Sequence, residues 1–132
     1  MSTETPVCHL HVGIEGGASN TKGILVDSTG KTLAKTDSKR GNSNHWQIGY
    51  DACVKLLLEL IDDLLLKAGL PVECQLTSVG LSLSGVDSKE NAEEISTLMH
   101  ATRPGLLPAG TRVHVYGDCT AALETATNQG GR

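Results

Sequence analysis

Between two short apolar runs, His11-Val12-Gly13-Ile14 and Gly23-Ile24-Leu25-Val26, the chain thins its side chains almost to nothing. Glu15 is followed by Gly16, Gly17 and Ala18, then by Ser19, Asn20, Thr21 and Lys22. The flanking runs read as strands, and the stretch between them is too short to hold a helix, so the chain must turn back on itself. Small residues in such a turn let the backbone approach a partner closely, and several N–H groups can converge there on an anion. Ser19 and Thr21 add hydroxyls, and Lys22 adds a positive charge. That inventory suits a phosphate. A loose glycine-rich hairpin with no ligand fits the same letters.

Two common phosphate binders are excluded. The pattern G-x-x-x-x-G-K-[ST] is absent, and so is G-x-G-x-x-G; a strand follows the turn where a helix would be needed. A strand–turn–strand phosphate loop is a different solution.

The rest of the chain organises around that hairpin. Residues 7–15 read as a first strand, 22–27 as a second and 31–37 as a third, with Asp27-Ser28-Thr29-Gly30 as the turn between the last two. After a polar loop, one helix is expected from about 47 to 68. Val54, Leu57, Leu58, Ile61, Leu64 and Leu65 recur there at helical spacing, and Gly69 and Pro71 stop it. A buried strand at 77–83, a helix at 90–100, a strand at 112–116 and an Ala-rich helix at 119–127 follow. The order β-β-β-α-β-α-β-α predicts an α/β domain, a five-stranded mixed sheet with helices packed on its faces. Residues 1–6 are read as a flexible lead and 7–132 as the folded unit.

Composition excludes several classes. Of 132 residues, net charge −4 with scattered basic side chains offers no footprint for nucleic acid. No apolar run reaches the roughly 18 residues that span a bilayer, and the first residues lack the pattern of a signal peptide. Cys8, Cys53, Cys74 and Cys119 form no C-x-x-C pair, which fits buried thiols and a cytoplasmic location. His9 and His11 share a strand face, but no second pair completes a metal site, so a strand-edge role is the simpler reading.

Four segments together carry a resemblance: G-I-E-G-G-A-S-N-T-K-G-I-L-V-D, G-N-S-N-H-W (41–46), V-G-L-S-L-S-G-V-D (79–87) and V-Y-G-D-C-T-A-A-L (115–123). The first resembles the leading phosphate loop of the sugar kinase, actin and Hsp70 ATPase superfamily. All four in this order resemble the N-acetylglucosamine kinases of its BadF/BadG-type group. The resemblance implies a ribonuclease H-like, actin-like ATPase lobe that uses ATP and Mg²⁺ to phosphorylate the 6-hydroxyl of an amino sugar. It implies Gly16, Gly17, Ser19 and Lys22 at the ATP phosphates and Glu15 at Mg²⁺ through water. Asn44, His45 and Trp46 would lie at the sugar, with Asp118 as general base. Ser19 stands where these kinases carry Thr, and Ala18 where they carry Gly. The residues also admit plainer roles: Asp118 as the N-cap of the following helix, Asn44 as a helix start, Trp46 as a staple on the long helix, and Ser82, Ser84 and Asp87 as strand-end structure.

Such kinases have two lobes, and the resemblance ends before the second. The expectation is therefore an amino-terminal lobe, inactive alone, of a homodimeric whole protein. Rival readings are a non-catalytic binding or regulatory lobe, and a BadF-type ATPase that activates a radical enzyme. A related hexosamine or glucose kinase is a third.

Overall fold

The computed structural model describes residues 9–17, 20–36, 44–71 and 74–117. Eight elements appear in chain order: β1 (Leu10–Gly16), β2 (Thr21–Asp27), β3 (Thr32–Thr36), α1 (His45–Ile48), α2 (Tyr50–Lys67), β4 (Ser78–Leu83), α3 (Lys89–Thr102) and β5 (Arg112–Tyr116). The expected final helix at 119–127 lies outside the described residues. The five strands form one sheet in the order β3-β2-β1-β4-β5. β1, β2 and β3 make an antiparallel meander, whereas β4 runs parallel to β1 and β5 parallel to β4. The sheet is mixed, as the sequence predicts.

Residues that pair across the ladder share a face, so the register sorts the side chains. Leu10, Val12 and Ile14 of β1 line up with Leu25 on one side and with Val79 and Leu81 on the other. All are buried, as is Leu83. Against this face packs the leucine stripe of α2, where Leu57, Leu60, Ile61, Leu64 and Leu65 are buried. Gly23 marks the closest approach: a Cβ built there would sit 2.5 Å from Leu60 Cδ2 and 3.2 Å from Leu64 Cδ1. α3 lies beside α2, tied to it by a bidentate pair in which Arg103 Nη1 and Nη2 donate to Asp62 at 3.1 and 3.0 Å.

The turns follow from local chemistry. Asp27 Oδ1 accepts from Thr29 N at 2.9 Å and Lys31 N at 3.1 Å, and Gly30 at φ 89° completes the reversal into β3. Ser88 caps α3, its side chain accepting from Asn91 N. At the head of the central pair, Leu10 N donates to Thr77 Oγ1 at 3.2 Å, and Thr77 N donates back to Leu10 O at 2.8 Å.

One expectation needs correction. The helix read as continuous from 47 to 68 is two helices, α1 and α2, separated by Gly49 at φ 89°. A positive φ lies outside the helical region, so the helix breaks there. Gly49 then serves both ends, donating its N–H to His45 O at 2.8 Å and accepting from Cys53 N at 3.1 Å. No helix among the described residues is long and apolar enough to cross a membrane.

The α2 stripe carries the core, so truncating its centre should be costly. Leu60→Ala is expected to destabilise the domain by about 2–5 kcal/mol in chemical denaturation. A loss under about 1 kcal/mol would show that the site collapses without penalty, which the Gly23 contact argues against.

Candidate functional site

Because β1, β4 and β5 run in the same direction, their carboxyl ends emerge along one edge of the sheet. Ligands of open α/β sheets bind outside that edge. Here the ends are Gly16-Gly17, Leu83-Ser84-Gly85 and Tyr116-Gly117. Two of them are joined by backbone, where Ser84 N donates to Gly16 O at 3.0 Å, and Val86 N donates to Leu83 O at 3.1 Å to turn the chain as it leaves β4. A Cβ on Gly117 would collide with the Val86 carbonyl, and one on Gly85 would collide with the Asn44 amide, lying 2.7 Å from its Cγ. Two glycines thus admit contacts that no other residue permits, and four chain segments meet at the strand tips.

At the β1–β2 turn, Gly17 N donates to Asn20 O at 2.8 Å, closing the reversal. Ala18 and Ser19 lie outside the described residues. Glu15 and Lys22 are register partners, both exposed, on the face away from α2. An exposed carboxylate and an ammonium beside a glycine turn fit a metal–phosphate group in donor type. Thr21, read above as a hydroxyl of the turn, is instead fully buried opposite Gly16.

The 44–46 segment arrives from the other side. Asn44 is the N-cap of α1, and its Oδ1 accepts from Trp46 N at 2.9 Å. The helix-start role therefore holds, and the amide is also wedged against Gly85. The aromatic roles are reversed from the staple reading. Trp46 is 64% exposed, whereas His45 is buried. The His45 ring stacks on Tyr50 at 4.7 Å and 17°, with the Trp46 indole tilted against it at 4.8 Å. Burial pushes its proton affinity below the ordinary imidazole value, while the Asp87 carboxylate pulls the other way. Tyr50 in turn accepts from Asn91 Nδ2 at 3.0 Å, and Asn91 Oδ1 accepts from Asp87 N at 3.3 Å. A short chain of contacts therefore runs from the Trp46 loop to the exit of β4.

Asp118, the expected base, lies outside the described residues, directly after Gly117 at the tip of β5. Ser82 is buried within β4, and Ser84 is used through its backbone, in keeping with strand-end structure. On the far face, His11 Nδ1 and Ser78 Oγ are 2.7 Å apart. Cys53 is buried with its thiol pushed up to about 11 by desolvation, which suits packing and not nucleophilic chemistry. Tyr50, Gly85 and Val86 lie at these strand tips and were not singled out by sequence reasoning; the glycine in S-G-V-D was the available signal. The glycine before Asp118 reads in the sequence as room for a sugar, whereas its open side faces the Val86 carbonyl.

Superposition on solved structures decides the architecture. The chain matches a protein assigned as an N-acetylglucosamine kinase from Chromobacterium violaceum with a TM-score of 0.60 and 24% identity, over 82% of this chain and 34% of that one. It matches a ROK hexokinase from Thermus thermophilus with a TM-score of 0.58 and 18% identity, over 92% of this chain and 38% of that one. The chain shares its fold with one part of each of these sugar kinases. That fold is the five-stranded mixed α/β sheet the sequence predicts. The chain spans well under half the length of either kinase. No protein-family model matches it.

The glycine contacts generate a prediction. Gly85→Ala should push Asn44 out of its wedge and weaken the α1 cap, costing about 1 kcal/mol or more in thermal or chemical unfolding. It should also change the emission of Trp46. Unchanged stability and emission would show that the Asn44–Gly85 contact constrains nothing.

Proposed function

We propose that this chain is the amino-terminal lobe of an ATP-dependent sugar kinase that phosphorylates the 6-hydroxyl of N-acetyl-D-glucosamine. The observation that carries the reading is the convergence at the strand tips. The glycine turn after β1, the Asn44 cap, the Gly85 loop and the end of β5 all meet at one edge. Phosphoryl transfer asks for little covalent help from a protein and much positioning: phosphates held, charge neutralised, a hydroxyl oriented and its proton accepted.

The residues divide along those lines. Gly16 and Gly17 would let the backbone come close to the ATP phosphates, Ser19 would offer its hydroxyl, and Lys22 would add charge. Glu15 would hold Mg²⁺ through water; when bound, that ion offsets the negative charge of the phosphates. Asn44 and Trp46 would meet the sugar, and His45 would set the loop that presents them. Asp118, the residue that follows Gly117 in the sequence, would accept the proton of the 6-hydroxyl as the phosphoryl group arrives. Gly117 ahead of it lets the end of β5 close on the Val86 carbonyl. Closure over the substrate takes two lobes, so a single lobe assayed alone is expected to bind without turning over.

Asn44 separates ligand binding from mere architecture. Ser caps helices about as well as Asn, so Asn44→Ser should leave stability nearly unchanged while weakening N-acetylglucosamine binding in calorimetry. Equal binding by both proteins would reduce Asn44 to a cap. In a coupled ADP assay with MgATP and N-acetylglucosamine, the chain alone should stay well under ~1 s⁻¹, the low end for kinases. In a two-lobed protein, Asp118→Ala should abolish turnover and retain sugar binding; full turnover would remove Asp118 as the base.

A further inference from the structure

His45 occupies a position that suits only one of its protonation states. The ring is 5% exposed, and neither nitrogen has a hydrogen-bond partner among the described residues. A neutral imidazole leaves one N–H and one lone pair unmatched there. An imidazolium would bring two unmatched donors and a full charge into the same space, a much larger desolvation cost.

The surroundings offer the charged form little. Tyr50, at the start of α2, presents its ring face to His45 and directs its hydroxyl to Asn91. Asp87, between β4 and α3, is the carboxylate whose field favours protonation, and it is exposed and outweighed by burial. Asp51 in the first turn of α2, and Lys89 and Glu90 in the first turn of α3, are solvent-exposed. His45 is also the one buried residue of α1, a helix of four residues set off from α2 by Gly49. The seating of α1, and with it the Asn44 cap, therefore rests on that ring together with Ile48, which packs partly buried against the core.

We propose that His45 is an acid-released latch on the strand-tip site: its neutral ring docks α1 on Tyr50, and protonation undocks α1 and withdraws Asn44 from Gly85. Linkage gives the direction. The undocked ring titrates near the ordinary imidazole value of about 6.5, and the docked ring below it. Between those values the undocked state binds more protons. Docking is thus complete above about pH 6.5 and is lost as pH falls toward the docked value. The latch rests on the proposed function only for its consequence, that mild acid weakens sugar binding.

Trp46 is the sole tryptophan of the chain and sits against the His45 ring, so the reporter is built in. Its fluorescence, followed from about pH 8 to about pH 5, should show a one-proton transition centred below about 6.5. His45→Gln should lack the transition. Tyr50→Leu, which removes the stacking surface, should raise the midpoint to the ordinary value, and Asp87→Asn should lower it. Proton NMR of the His45 ring in the unsubstituted chain should give the same midpoint, and its contacts to the Tyr50 ring should vanish over the same range. A midpoint at or above the ordinary value, a transition that survives His45→Gln, or ring contacts that persist throughout would each overturn the latch. These readings need no ligand, so they stand or fall separately from the kinase assignment. That assignment is tested by adding N-acetylglucosamine at neutral pH.

Discussion

The leucine stripe of α2 pressed onto the inner face of the sheet is the contact on which the remaining structure depends. β1 lies at the sheet's centre, paired on both sides, and its buried residues Leu10, Val12 and Ile14 meet Leu25, Val79 and Leu81 in register. One helix covers this surface only if it comes close, and Gly23 allows that approach beneath Leu60 and Leu64. Close-packed interiors have low compressibility and hold their edges in place. The carboxyl ends of β1, β4 and β5 inherit that rigidity.

The site inherits it through backbone more than through side chains. Gly16 is fixed to Ser84 by a hydrogen bond, Gly117 abuts Val86, and Gly85 abuts Asn44. Elements that would otherwise end in separate loops share one boundary. Side chains carried on such a frame need little reorganisation when a ligand arrives, a requirement for chemistry that relies on placement.

Much of this was legible in the sequence, for physical reasons. β1, which alternates buried with less buried residues, shows the alternation that marks a strand with one buried face, and residues 112–116 were placed to the residue. The leucines of α2 announced a helix by their period. Gly49 was invisible to that reasoning, because periodicity records which positions are apolar and not the sign of φ. The plainer role open to Trp46, a staple on the long helix, fails for a similar cause: the helix phase set by Asn44 turns His45 inward and leaves Trp46 exposed. Gly85 and Gly117 could be seen as letters but not as contacts, since each is explained by a residue distant in the chain. Thr21 shows the same limit: its hydroxyl looked available until the register placed it opposite Gly16, inside.

The parallel pairing of β1 with β4 has a consequence for how the molecule comes into being. The hydrogen bond from Leu10 to Thr77 spans 67 positions of the chain. During synthesis the β1–β2–β3 meander can close early, but one long edge of β1 keeps its N–H and C=O groups bare until residue 78 has left the ribosome. Loop closure on that scale delays the decisive pairing. The nascent hairpin is therefore the stage at which this chain is most open to a chaperone, or to another copy of itself.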